Sequence, residues 1–190
     1  WQAALGINVR VPHLAWASMN GEAKRDYPAS ISYQSPWFRE YRQIEDYFGR
    51  INVALTDGQP LVRVGVIHPI ESYWLFFGPQ DQTGAIREEL ENQFHDVMRW
   101  MLFGLIDFDF LCESLLPDIS EVEGSSLRVG AMHYDVVVVP GCKTLRRTTY
   151  ELLEAFSRSG GTVIFMGDAP SYLDAQPSSQ PAELADRCVR

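Results

Sequence analysis

Apolar positions at Trp37, Tyr41, Ile44, Phe48, Ile51 and Leu55 are spaced by fours and threes, the stripe of an amphipathic helix. Pro36 opens this helix and Asp57-Gly58 ends it. Ahead of it, residues 6–16 read as a short strand with a proline near its end, followed by a long polar loop through Ser35. A helix with one apolar face needs a larger body than one strand to cover it. Residues 1–58 are therefore expected to be the tail of a domain whose remainder lies upstream of Trp1.

After Gln59-Pro60 the pattern changes. "LVRVGVI" is a β-branched run ending at His68-Pro69, then comes a polar, aromatic loop to Gly84. A long helix follows, with Ile86, Leu90, Phe94, Val97, Met101 and Leu105 on one face. "DFDFLCESLL" supplies a second strand, and "LRVGAMHYDVVVVPG" a third with a preceding ribbon. Residues 148–159 form a helix, "GGTVIFMG" a fourth strand, and Pro181 begins another helix. Strands alternating with helices, and continuous apolar runs such as Val136 to Val139, predict a parallel sheet covered on both faces. Residues 59–190 are thus expected to be a doubly wound α/β domain, cut short at its end.

The length of 190 residues suits one full domain plus a fragment, and 46% hydrophobic with 22% charged residues predicts a globular chain. A net charge of −9, from 16 basic and 25 acidic residues, argues against nucleic acid as a partner, since that affinity rests on neutralising phosphates. Cys112, Cys142 and Cys188 lack CxxC spacing and leave one unpaired in any disulfide scheme, which fits a reducing, cytoplasmic setting. No apolar run approaches the roughly 20 residues that span a bilayer, so no membrane partner is expected. The chain opens at Trp1 rather than Met, so a leader upstream stays open.

In an open parallel sheet, ligands sit beyond the carboxyl ends of the strands, where the loops read "HPIESYWLFFGP", "CESLLPD", "PGCKTLR" and "GDAPSY". None carries GxGxxG or GxxxxGK[ST], so neither a nucleotide nor any other cofactor is expected. Cys142 follows a strand and a glycine, as a nucleophile would, but a thiolate needs a nearby base and oxyanion donors. The next strand ends in Met166-Gly167-Asp168, without the cysteine elbow of an amidotransferase, so Cys142 reads better as a packing residue. His68 and Glu71 share one loop and offer the residue types of an acid/base pair, but the His-Pro turn reads better as a device that sets loop geometry. His95 and His133 read as surface or edge residues, and no histidine pair has metal-ligand spacing.

Residues 11–41 crowd His13, Trp16, Glu22, Lys24, Arg25, Asp26, Tyr27 and Trp37 onto a loop. Aromatic faces stack on the apolar faces of sugar rings while carboxylates and cations bond hydroxyls, so this mixture suits a carbohydrate. The competing reading is a loop contact in which Lys24 or Arg25 pairs with Glu22 or Asp26.

The order "GINVRVPHLAW…KRDYPASISYQSPWFREYRQIEDYFGRIN", "VRVGVIHPIESYWLFFGP", "IDFDFLCESLL" and "YDVVVVPGCKTLRRTTYELLEAFSRSGGTVIFMG" resembles bacterial glycoside hydrolases of the β-galactosidase type, similar to glycoside hydrolase family 42. The resemblance implies a (β/α)8 catalytic barrel followed by a class I glutamine amidotransferase-like, flavodoxin-like domain that lacks the nucleophile and mediates trimerisation. Residues 6–16 would be the eighth barrel strand and residues 36–55 its closing helix. Loops after barrel strands build the active-site face, so His13, Trp16, Glu22, Lys24, Arg25 and Asp26 would contact a carbohydrate substrate. His68, Glu71 and Trp74 would lean towards the barrel opening. The two catalytic glutamates of that family, on the fourth and seventh barrel strands, would both lie upstream of Trp1, leaving this chain with no catalytic residue of its own. A free-standing thiol enzyme using Cys142, or a small-ligand binding module, remain the alternatives.

Overall fold

The computed structural model describes residues 1–13, 15–24 and 30–189, which divide into two compact units, 1–60 and 61–190. No described helix is long and apolar enough to cross a membrane.

In residues 1–60 the main element is α1, Tyr41–Thr56. It stops where Gly58 takes a left-handed φ of 108°, a conformation glycine enters without steric cost. The predicted start at Pro36 is corrected: residues 36–40 form single turns, with Glu40 and Tyr41 N–H both bonded to the Trp37 carbonyl, and regular helix begins at Tyr41. No side chain caps the entry at Glu40. The predicted strand at residues 6–16 is also corrected. Ile7, Val9 and Val11 alternate as strand residues do, yet all three are exposed and the described residues there join no ladder. A strand exists only against a partner, and the described residues of 1–60 offer none. Arg10 instead pins this segment to α1: it pairs with Glu45, donates to Tyr41 Oη at 3.3 Å, and lies 4.4 Å above the Phe48 ring. That pairing raises Arg10 and lowers Glu45 from their ordinary pKa values.

Residues 61–190 form a mixed α/β body. The elements run β1 Val64–Ile67, α2 Ile70–Leu75, α3 Gln80–Phe103, β2 Phe108–Leu111, α4 Leu116–Ile119 and β3 Ser120–Glu123. They continue as β4 Ser126–Val129, β5 Met132–Tyr134, β6 Val136–Val139, β7 Thr144–Leu145, α5 Arg147–Arg158 and β8 Thr162–Phe165. Short β9 Tyr172–Leu173, β10 Gln176–Pro177 and α6 Gln180–Ala185 close the chain.

The central sheet has order β2-β1-β6-β8 and is wholly parallel. Successive side chains of a strand face opposite ways, and the two faces are packed differently. Val137, Val139, Val163, Phe165, Ile67 and Leu111 face α5, whose Leu153 and Phe156 are fully buried. Val66 and Val138 face α3 through Val97 and Met101. Covering of both faces, read from the apolar runs, therefore holds. Beyond β8, Val189 makes one more parallel bridge, opposite Ile164.

Four further features refine or depart from the pattern reading. The loop expected from His68 to Gly84 is largely helical, as α2 and the first turns of α3. Leu105, expected on the buried face of α3, lies beyond its end, exposed, with φ of 55°. The ribbon before β6 is a three-stranded antiparallel meander, β3-β4-β5, turned at Gly124 and Gly130, each at φ 60° as two-residue hairpin loops require. Finally, the loops after β6 and β8 pair as a second small sheet, β10-β9-β7.

Candidate functional site

In residues 1–60, Trp16 and Lys24 are brought together, with the ammonium 5.9 Å from the indole centroid. A short 3-10 turn, Glu22–Lys24, carries the lysine. Two side chains hold the strand of loop that bears Trp16: Gln34 Nε2 donates to the Trp16 carbonyl at 2.6 Å, and Tyr33 Oη donates to the Ala17 carbonyl at 2.5 Å. Trp16 keeps about a third of its surface exposed, and Trp37 more than half. Glu22 is exposed on the same turn as Lys24, and His13 is exposed. Arg25, Asp26 and Tyr27 lie outside the described residues. The surface thus offers an aromatic plate with a hydrogen-bond donor beside it.

At the carboxyl end of the sheet, the His68 and Glu71 pair does not form. His68 stacks edge-on to Phe94 and Phe110, at centroid distances of 5.4 and 5.7 Å, while its backbone N–H donates to the Leu111 carbonyl at 3.0 Å. The Glu71 carboxylate instead takes Arg146 Nε at 2.6 Å. Trp74, on α2, is exposed. Next to Glu71 on the same helix, Ser72 is fully buried, and its hydroxyl accepts from the Lys143 and Thr144 N–H groups at 3.0 and 3.1 Å. This ties α2 to β7 and closes the loop after β6.

Cys142 sits under that closure with 3% of its surface exposed. Burial, then the charge of Glu113, pushes its thiol far above the ordinary value. A thiol so held does not ionise near neutral pH, and the geometry assigns it to packing. Burial of this kind argues against Cys142 as a nucleophile.

Glu113 is the group that the sequence pattern passed over. It follows β2 and is 3% exposed. Its Oε2 accepts from the Arg146 N–H at 2.8 Å, while Oε1 and the neighbouring Thr149 hydroxyl are both buried without a well-formed hydrogen bond. Burial raises the carboxyl to about 7, against the lowering pull of the Arg146 N–H and the Thr149 hydroxyl. Its one sequence signal was an acidic residue directly after a buried strand, in "FLCES". Among the described residues no group of three or more His, Cys, Asp or Glu is placed to hold a metal.

No known protein family and no curated protein matches this chain. Among solved structures it is similar to a rhamnosidase from Novosphingobium sp. PP1Y, at 17% identity and a TM-score of 0.49. That likeness covers 84% of this chain and 13% of the rhamnosidase, so the chain spans a small part of that protein's length.

Proposed function

We propose that this chain is part of a retaining glycoside hydrolase of the β-galactosidase type. Residues 1–60 are the end of its barrel and supply a substrate-side surface around Trp16. Residues 61–190 are an amidotransferase-like domain that assembles copies, as a trimer, and performs no chemistry. The observation that carries the sugar reading is the exposed Trp16 indole with Lys24 beside it, on a loop held by Gln34 and Tyr33. An apolar plate next to a donor matches a pyranose, whose ring has an apolar face and a rim of hydroxyls. The sequence resemblance to family 42 supports the same assignment. The buried Cys142, and loops tied into a small sheet at the carboxyl ends of β6 and β8, support the non-catalytic role of residues 61–190.

Retention requires two carboxylates about 5 Å apart, one as nucleophile and one as acid/base. In this proposal both belong to barrel strands outside residues 1–190. In the full-length enzyme, Trp16→Ala is expected to lower kcat/KM for a p-nitrophenyl galactoside by about tenfold or more, the cost of one lost stacking contact. Unchanged kinetics would remove Trp16 from the site. Glycoside hydrolysis by residues 1–190 alone would overturn the division of labour.

A further inference from the structure

Two adjoining cavities lie between α2 and the first half of α3, beyond the carboxyl end of β1, the strand at which the parallel sheet reverses its direction of growth. The first, about 270 Å³, is walled by His68, Ile70, Leu90 and Phe94. The second, about 310 Å³, is rimmed by Gln80, Arg87 and Glu88. Tyr73 and Glu91 line both, so the two are halves of one cleft, aromatic at one end and polar at the other.

Three observations mark the cleft as built for a ligand. Arg87 is aimed at it by Tyr73, whose ring lies 5.8 Å from the guanidinium, and by Gln80 Oε1, which accepts from Nη2 at 2.7 Å. Its Nε is nonetheless buried with no acceptor among the described residues, an unfavourable state for a donor that an incoming acceptor would relieve. Gly84 is a buried glycine within α3, where alanine would favour the helix. A Cβ there would stand 2.6 Å from Gln80 Nε2, so the missing side chain is what lets Gln80 fold down to Arg87. Lastly, the polar end carries two carboxylates, Glu88 and Glu91, against one guanidinium. That balance disfavours phosphates and other anions.

From this cleft we infer a second ligand site: it binds a neutral polyhydroxylated ring that carries an aromatic substituent, chemically an aryl glycoside. The substituent lies against Phe94 and His68, and the hydroxyls bond Glu91, Gln80 and Arg87. Planar, multi-atom polar side chains of this kind suit adjacent hydroxyls, and the aromatic wall suits the aglycone. The site belongs wholly to residues 61–190 and does not depend on the Trp16 surface.

The test is a titration of the 190-residue chain with p-nitrophenyl β-galactoside, followed by calorimetry and by amide chemical shifts. Methyl β-galactoside, p-nitrophenol and phenethylamine serve as the polar-only, aromatic-only and cationic controls. The expected result is saturable shifts in α2 and α3, with each control binding at least about tenfold more weakly, the loss of roughly one good contact. Gly84→Ala should lower the affinity about tenfold while leaving the fold as stable or more so, and Glu91→Gln should lower it on a surface that cannot unfold the chain. Amide shifts confined to residues 1–60 would report the Trp16 surface instead, which separates the failure of this site from that of the Trp16 proposal. Absent shifts at α2 and α3, equal affinity for p-nitrophenol, tighter binding of phenethylamine, or indifference to Gly84→Ala would each overturn the assignment.

Discussion

Helices α1 and α5 are both amphipathic, yet they meet opposite fates. On α5, Thr149, Tyr150, Leu153 and Phe156 are buried against the parallel sheet. On α1 no residue is buried, and Ile44 and Leu55 stay exposed. The periodicity is visible in both, and more sharply in α5. What differs is the partner: α5 has four parallel strands beneath it, while α1 has one extended segment fastened through Arg10. Most helical stability in proteins comes from packing of the apolar face rather than from propensity. A stripe therefore announces that a surface wants covering, without saying what covers it.

The sharpest way to break this comparison is to truncate one aromatic on each helix. Phe156→Ala should destabilise residues 61–190 by about 3–5 kcal/mol, whereas Phe48→Ala should cost about 1 kcal/mol or less. Urea unfolding, followed by hydrogen exchange at amides of each unit, measures both. Comparable losses would mean that α1 is packed as tightly as α5.

A smaller effect belongs to the buried Glu113. Its folded carboxyl titrates near 7 rather than at the ordinary 4.5, so between these values the folded chain holds a proton that the unfolded chain has released. Stability from this group is thus complete below pH 4.5 and is lost as the pH climbs through 7. Glu113→Gln keeps an acceptor for the Arg146 N–H and removes the ionisation. It should stabilise residues 61–190 at pH 8 by up to roughly 3 kcal/mol, with little change at pH 4. A flat wild-type stability between pH 4.5 and 8 would show that water reaches the carboxylate.

The smallest effect sharpens the contrast between surface and interior within residues 61–190. Iodoacetamide at neutral pH should modify the exposed Cys112 without altering stability, and leave Cys142 untouched until the domain unfolds. Fast labelling of Cys142 in the native state would restore the thiol-enzyme reading.

Much of residues 61–190 was legible because buried parallel strands leave an unmistakable trace. "VGVI" and "VVVV" are continuous apolar runs, and the helices between them are long and striped. The small β10-β9-β7 sheet left no such trace, since two-residue strands are defined by pairing alone. Helix α2 was hidden for a related reason: six residues rich in aromatics have no visible period. Of the candidate site residues, Trp16 and Lys24 were legible as types and do meet, whereas His68 and Glu71, read chiefly as a loop-setting turn, do not. Glu71 turns to Arg146, 75 residues away along the chain.

The sequence by itself determined the alternation of strands and helices in residues 61–190 and the acidic balance, because periodicity and charge are local properties. Only the tertiary structure decided that Glu113 and Cys142 share one buried corner, that Ser72 closes the loop after β6, and that α2 and α3 enclose a cleft. Burial and the pKa shifts it causes arise from groups distant in the chain. No local pattern contains them.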